Sequence, residues 1–102
     1  MPQTDKALSY IGICKKAGRI VIGTEMTCAA MKEAKIRLAV YSADASDNTK
    51  KRVTDRCAYY GVRCAEGAFT SGALGDAVGS HGDVAVVGIT DEGLANAILN
   101  SI

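Results

Sequence analysis

The sequence predicts an α/β protein: a single-domain, three-layer α/β/α sandwich in which about five helices flank a mixed sheet of about four strands. Short segments dense in Ile, Val and Leu alternate with segments whose apolar residues recur at helical spacing. The 102 residues are typical of one domain, and 48% of them are hydrophobic, which is enough for a core. Segments 36–42 and 83–89 are apolar almost throughout, as expected of strands covered on both faces.

The first helix is predicted over about 5–17. Thr4 precedes it as a candidate N-terminal cap, and Gly18 follows it as a stop. A short strand at 19–22 comes next. The apolar stripe of the helix consists of Leu8, Ile11 and Cys14.

The second helix is predicted to have Thr24 as its cap and to end near Ala34. The strand 36–42 follows it and leads into a turn. Either Ser46 or Asp47 is then expected to cap a third helix, which runs to about residue 60. The buried residues expected on this third helix are Val53, Cys57 and Tyr60.

The second half of the chain predicts two further strands and two further helices. Gly61 stops the third helix, and a strand at 62–65 follows. Either Thr70 or Ser71 is expected to cap a short fourth helix. After the strand 83–89, the last helix is expected to have Thr90 as its cap and Leu94 and Ile98 facing inward. The strand order stays open, although short connections favour neighbouring strands.

Charge is distributed unevenly along the chain. Residues 1–63 contain all 12 basic residues and six acidic ones, a net charge of +6, whereas residues 64–102 have a net charge of −5. Such a division indicates one basic and one acidic surface, and it makes a polyanion a candidate partner. The alternative, that these charges only solvate helices, stays open on charge alone.

Four cysteines are present, but no C-x-x-C pair occurs, and His81 is the only histidine. The sequence therefore predicts no metal site and implies no cofactor; Cys14, Cys28 and Cys57 are expected to be small buried hydrophobes. We recognise no secretion signal and no apolar run of the roughly 20 residues that a membrane helix needs. A cytoplasmic protein with reduced thiols and no membrane association is expected. The sequence gives no indication of the oligomeric state.

Catalytic patterns are scarce. One histidine limits general-base schemes, and the nucleophile motif G-x-S-x-G does not occur. The glycine-rich segment 72–79 lacks the Gly-Lys-Ser/Thr of a phosphate loop, and Asp44 and Asp47 flank a turn that capping explains. We therefore expect that the protein is not an enzyme.

The start of the second helix is the candidate binding site. Gly23 and Thr24 precede free backbone amides at the positive end of the helix dipole, which suit a phosphate oxygen. Glu25, Ala29 and Lys32 fall on one face, and the small Ala29 lets a bulky partner approach. The basic residues considered with this site are Lys15, Lys16, Arg19, Lys32, Lys35, Arg37, the segment 50–52 and Arg56. Helix-dipole placement explains Lys15 and Lys16 equally well, and a solvated helix face explains 50–52.

Four segments, some of them overlapping, carry a resemblance to a known family. KAGRIVIG, ADASDNTKKRVTDRCAYYGV and VVGITDEGLANAIL occur in this order, together with IGTEMTCAAMKEAKIRLAVYSADAS. The chain resembles the kink-turn RNA-binding large-subunit ribosomal proteins (ribosomal L-seven-Ae and L-thirty-e), in particular their short bacterial relatives of the YlxQ type. The resemblance covers nearly all residues and implies the same sandwich fold.

The resemblance implies a non-enzymatic RNA-binding protein that recognises a kinked, kink-turn-like or ribosomal RNA, with the ribosome as a candidate partner. Family members read exposed guanine edges with the start of the second helix, where Gly23, Thr24 and Glu25 stand here. A loop before the last strand shelters a flipped-out nucleotide, and Ser80 and His81 lie in that loop. The expected RNA-binding residues are Lys15, Lys16, Arg19, Gly23, Thr24, Glu25, Lys32, Arg37, Ser80 and His81.

RNA-binding members usually carry Asn, then Glu, and Lys three residues further on. This chain has Glu25, Met26 and Ala29 at those positions. The alternative function is a protein-interaction module of the same fold that has lost specific RNA recognition. Met26, Ala29 and Ala30 would form its apolar strip, although core packing explains Met26 and Ala30 more simply.

Overall fold

Nine elements follow one another in the computed structural model, which describes residues 3–102 except for the side chains of residues 3–5. The order in this range is α1 (Gln3–Ala17), β1 (Ile20–Ile22), α2 (Thr24–Lys32), β2 (Leu38–Ser42), α3 (Asp47–Tyr60), β3 (Arg63–Gly67), α4 (Ser71–Ala77), β4 (Val86–Ile89) and α5 (Glu92–Leu99). The predicted fold class, a mixed four-stranded sheet with five helices, is confirmed. The predicted cap at Thr4 lies outside the described side chains.

The sheet has the strand order β1-β4-β2-β3. β2 and β3 are parallel neighbours, whereas β4 is antiparallel to both β1 and β2 and lies between them. The prediction that 36–42 and 83–89 form the covered central strands is therefore confirmed. The preference for sequential neighbours holds for β2 and β3 but is wrong for β1 and β2, since β4 separates them.

The helices form two layers, because residues alternate across the sheet. Leu38 and Val40 of β2 pack on one side with α1, α4 and α5, while Ala39 between them packs on the other side with α2 and α3. The first layer buries Ile11, Cys14, Leu74, Val78, Ala95 and Ile98. The second layer buries Met31, Val53 and Cys57.

The sheet has two ends, called here the Gly23 end and the Arg19 end. At the Gly23 end, Gly23 donates its N–H to the carbonyl of Val86 at 2.8 Å, and Ser42 and Gly67 are in register. At the Arg19 end, Thr90 donates to the carbonyl of Arg19 at 3.0 Å, and Arg37 donates to that of Ile89 at 2.7 Å. α2, α3 and α4 each follow a strand that finishes at the Gly23 end, so all three begin there.

Two predicted helix caps are confirmed and two are wrong. Ser46 accepts from the N–H of Thr49 at 3.1 Å, and Thr70 accepts from that of Ala73 at 3.0 Å. Gly23, not Thr24, occupies the cap position of α2. Asp91, not Thr90, caps α5, because the Thr90 N–H still continues the β1–β4 pairing.

Several predicted segment limits also shift. α2 ends at Lys32 because Ala34 has a φ of 58°, a left-handed conformation that a helix does not continue. β4 begins at Val86 rather than at residue 83, because the N–H of Val84 donates to the carbonyl of Ser71 at 3.0 Å and not to a strand. The loop before β4 is therefore bound to the start of α4.

All four cysteines are free thiols, and Cys14, Cys28 and Cys57 are buried as predicted, while Cys64 is half-buried. Burial raises the pKa of the Cys14 thiol to about 11. Across residues 3–102, no helix combines the length and the apolar character that crossing a lipid bilayer would require.

Candidate nucleic-acid interface

The start of α2 has no side-chain cap. The carbonyl of Gly23 accepts the N–H of Thr27 at 3.0 Å, which closes the first turn of the helix. The preceding amides, of Thr24, Glu25 and Met26, come before the first acceptor that the helix itself provides. These three N–H groups stand at the positive end of the helix dipole, where an anion is stabilised.

Gly23 turns the chain from β1 into α2. Its φ of 99° and ψ of 154° lie in a region that is essentially restricted to glycine. A Cβ atom built on Gly23 would have no neighbour within 4 Å. The turn therefore needs glycine for its backbone conformation, and it leaves open space in front of the helix start.

Glu25 is held by a two-pronged contact with Arg52 of α3. The Arg52 Nη1 group donates to Oε1 and its Nη2 group donates to Oε2 at 2.9 Å. This hydrogen bonding, together with the charge of Arg52 and the weaker influence of Arg56, lowers the pKa of the Glu25 carboxyl below its ordinary value. Although fully solvated, the carboxylate is thus kept ionised and oriented, as a pure hydrogen-bond acceptor beside the free amides.

The outer side of α2 presents small or flexible side chains. Met26 is 63% exposed, so the interpretation of Met26 as a core residue is wrong. Ala29 is exposed one turn beyond Glu25, and Ala30 is half-buried. A partner can therefore approach this face of the helix closely.

α3 carries four cations, of which Arg52 contacts α2. Lys50 pairs with Glu66 at 3.2 Å, Lys51 pairs with Asp55 at 3.1 Å, and Arg52 pairs with Glu25. Arg56 makes no ion pair with any side chain that the structure describes. The alternative that 50–52 only solvates a helix face is too simple for Arg52, which takes part in the geometry of the site.

Four of the predicted basic residues lie at the other end of the sheet. Arg19 and Arg37 flank the last residue of β4, and Lys15 and Lys16 end α1 just before them. The four residues from Arg19 to Gly23 span roughly 13 Å at strand spacing. The structure therefore does not bring these cations together with the start of α2.

Lys32 occupies an intermediate position. It is exposed in the last turn of α2, on the same face as Glu25 and Ala29. Eight residues of helix place it roughly 12 Å from Thr24 along the helix axis.

The loop with Ser80 and His81 runs along α4 before it leads into β4. The N–H of Ser80 donates to the carbonyl of Gly75 at 2.9 Å, and the N–H of Val84 donates to that of Ser71 at the start of α4. A shallow cavity of ≈ 160 Å³ is lined by Gly72, Asp76, Ser80, His81, Gly82 and Asp83. His81 is exposed there. Gly23, Thr24 and Glu25 thus occupy one end of the sheet, whereas the loop lies along α4, which begins at that end.

The contact between Glu25 and Arg52 is the feature that sequence reasoning missed. The two residues are 27 positions apart, and they meet only because α2 and α3 lie side by side on one face of the sheet. The sequence signal was the basic segment 50–52, but its position relative to α2 depends on the strand order.

The profile of the family described as the ribosomal protein L7Ae/L30e/S12e/Gadd45 family matches residues 5–99. The chain belongs to this family. The L7Ae/L30e/S12e/Gadd45 fold thus accounts for nearly the whole chain.

Curated relatives and solved structures agree with the L7Ae/L30e/S12e/Gadd45 assignment. An "RNA-binding protein YlxQ" of Enterococcus faecium is 37% identical over 90 residues, which is 88% of this chain and 84% of that protein. The protein of the same name from Bacillus subtilis (strain 168) is 33% identical over 90 residues, 88% of each chain.

Among solved structures, a protein with unknown function from Bacillus halodurans C has a TM-score of 0.87 at 28% identity, covering 94% of this chain and 95% of its own. A 15.5kD RNA binding protein of Giardia lamblia has a TM-score of 0.78 at 20% identity, covering 97% of this chain and 83% of its own. At that identity the Giardia protein shows the fold alone.

Proposed function

We propose that this protein is a non-enzymatic RNA-binding protein that holds a kinked, kink-turn-like RNA against the start of α2. The observation that carries the proposal is the uncapped helix start, where three free amides stand beside a carboxylate oriented by Arg52. Membership of the L7Ae/L30e/S12e/Gadd45 family and two relatives named RNA-binding proteins support RNA as the partner. The cytoplasmic location stays a prediction.

The groups at the helix start suit an RNA whose groove has been opened by a kink. The amides of Thr24, Glu25 and Met26 suit phosphate oxygens, and phosphate contacts set the position of the RNA. The Glu25 carboxylate is an acceptor for the N–H groups on a guanine edge, which ordinary A-form RNA does not expose to side chains. The shallow cavity beside Ser80 and His81 is the proposed shelter for a flipped-out nucleotide.

Arg52 has the role of a positioning residue in this proposal. Its guanidinium donates one hydrogen bond to each carboxylate oxygen of Glu25, an arrangement called here the Arg52 fork. A lysine at the same position would keep the charge but could not make this paired contact. The rigid carboxylate then presents one orientation to the RNA rather than many. The preference for kinked RNA should accordingly depend on the Arg52 fork, whereas the nonspecific affinity for any RNA should depend on the total positive charge.

The experiment compares a labelled kink-turn RNA with a straight duplex of equal length at two salt concentrations. The wild type should prefer the kinked RNA, and Arg52→Ala should reduce that preference roughly 5- to 100-fold, the range of one lost base contact. Arg19→Ala, which removes the same charge at the other end of the sheet, is the matched control and should leave the preference unchanged.

Three results would contradict the proposal or a part of it. Equal effects of Arg52→Ala and Arg19→Ala would mean that only overall charge matters. No preference of the wild type for the kinked RNA at either salt concentration would remove the kink-turn part of the proposal, and an affinity independent of salt would exclude phosphate contacts.

A second experiment rebuilds the usual family residues with the triple change Glu25→Asn, Met26→Glu and Ala29→Lys. All three side chains are exposed, so the fold should tolerate the change. If only the absence of those family residues limits recognition, kink-turn affinity should rise; an unchanged affinity would show that recognition here depends on other residues. Crosslinking in the native cell would then show whether the RNA is ribosomal.

The exposed Met26 favours a second function, docking of a partner protein on the same helix start. Met26 and Ala29 would form the apolar part of this contact. Nuclease treatment of a lysate before capture separates the two functions, since partners held through RNA are lost and a directly bound protein is retained.

A further inference from the structure

α3 presents an aromatic pair, Tyr59 and Tyr60, next to Arg56, which has no ion-pair partner among the described side chains. Asp55, Arg56, Tyr59 and Tyr60 line a cavity of ≈ 360 Å³, called here the tyrosine hollow. The ring of Tyr59 is 80% exposed, although burying an aromatic ring is normally favourable.

The ring of Tyr59 is nevertheless oriented. Its centroid lies 4.8 Å from that of Tyr60, and the two planes make an angle of 81°, an edge-to-face contact. Tyr60 is half-buried and packs on the α2/α3 layer, so it provides a fixed support. Tyr59 thus offers a flat, largely solvent-exposed ring whose orientation is fixed by its contact with Tyr60.

The charge around the tyrosine hollow suits an anion. Asp55 is already paired with Lys51 at 3.1 Å, so its negative charge is balanced. Arg56 has no ion-pair partner among the described side chains. A flat apolar surface beside a free guanidinium is the combination with which proteins bind unpaired nucleotides, through base stacking and a phosphate contact.

The tyrosine hollow also continues the interface at the start of α2. Arg52, Arg56 and Tyr60 follow one another at intervals of four residues, so they lie on one face of α3. The seven residues from Arg52 to Tyr59 span roughly 10 Å along the helix axis. A strand leaving the start of α2 along α3 therefore reaches Tyr59 within a short distance.

We propose that the tyrosine hollow binds one unpaired nucleotide flanking the kinked RNA, with its base stacked on Tyr59 and its phosphate held by Arg56. The inference rests on the proposed function for the identity of the RNA. The tyrosine hollow would bind unpaired nucleotides of any sequence, because every base has a π face that can stack on an aromatic ring.

The test uses the fact that the chain contains no tryptophan. Tyr59→Trp introduces a single fluorophore in the tyrosine hollow with nearly unchanged helix propensity. A single-stranded oligoadenylate should quench its fluorescence, whereas a blunt duplex of the same length should not. Ile13→Trp is the control, since Ile13 is 47% exposed beside Lys15 and Lys16 in the other helix layer.

Affinity measurements complete the test. For a kinked RNA with a single-stranded extension, Tyr59→Ala should weaken binding roughly tenfold, within the range of one stacked base, while Tyr59→Phe should retain it. For the same RNA without the extension, both variants should bind like the wild type. Arg56→Gln should reduce the dependence of the affinity on salt by about one phosphate contact.

Several results would overturn the inference: no quenching, equal quenching at Tyr59→Trp and Ile13→Trp, or full affinity of Tyr59→Ala for the extended RNA. Full affinity of Tyr59→Ala would instead favour a protein as the partner of the exposed ring. Failure of the proposed function gives a different pattern, in which oligoadenylate quenches the tryptophan but the kinked RNA is not preferred over the duplex. If instead the kinked RNA is preferred without quenching, only the inference about the hollow fails.

Discussion

Gly23→Ala should destabilise the protein without creating any steric collision. The φ of 99° and ψ of 154° are accessible essentially to glycine alone, and holding another residue there costs about 1–3 kcal/mol. The alanine side chain would have no neighbour within 4 Å, so strain is the whole cost in the folded state. The unfolded chain loses entropy on the same change, which offsets about 0.4–1 kcal/mol.

The net loss is therefore about 1–2 kcal/mol, which for a domain of this size corresponds to a fall in Tm of roughly 5–15 °C. Scanning calorimetry and urea unfolding followed by circular dichroism measure it. Gly82→Ala is the matched control, because its φ is not positive and its Cβ would also have no neighbour within 4 Å. A Tm of Gly23→Ala within about 2 °C of this control would refute the strain argument, since surface changes normally stay within about 0.5 kcal/mol.

The same position separates stability from binding. The methyl group of Gly23→Ala, or the larger side chain of Gly23→Val, points into the open space in front of the free amides. RNA affinity measured well below the Tm of each variant should therefore fall further with Val than with Ala. Full affinity of both variants would show that the helix start is not the contact.

Three further predictions concern titration, thiol reactivity and packing. The pKa of Glu25, measured by NMR, should lie below 4.5 and should return towards 4.5 in Arg52→Ala. Because the pKa is lowered in the folded state, the contact between Glu25 and Arg52 stabilises the fold above pH 4.5, and this stabilisation is lost as the pH falls below that value. Cys64 should be alkylated before Cys14 and Cys57, since a hydrogen bond from the neighbouring Cys57 thiol lowers the pKa of Cys64. The same hydrogen bond raises the pKa of Cys57, and burial raises that of Cys14. Mass spectrometry over time gives the order, and alkylation of either buried thiol before Cys64 would contradict it. Gly75→Ala should lower the Tm by several degrees because its Cβ would lie 2.3 Å from the carbonyl oxygen of the facing loop, and an unchanged Tm in calorimetry would contradict that packing.

Much of the fold was predictable because it follows from local patterns. The alternation of strands and helices, the covered central strands and the caps at Ser46 and Thr70 each depend on a few neighbouring residues. The wrong caps arose where tertiary pairing overrides local preference. At Thr90, for example, hydrogen bonding across the sheet extends one residue beyond β4 and delays the helix.

The candidate site was predictable only in part. The glycine and the free amides lie in one short segment, so the sequence was sufficient to find them, although Thr24 and not Gly23 was expected at the cap position. The partner of Glu25 was not predictable, because it depends on which helices share a face of the sheet. For the same reason, the sequence did not separate the cations at the Arg19 end from those near α2.

The position of β4 has a consequence for biosynthesis. β1 is joined to the rest of the sheet only through β4, which is synthesised after more than four-fifths of the 102 residues. Until then, β1 and one edge of β2 have no neighbouring strand to pair with, and the pairing of β1 with β4 is a contact between distant parts of the sequence. The nascent protein is thus most prone to mispairing just before synthesis of β4, and the amide that anchors Gly23 has no acceptor until Val86 arrives.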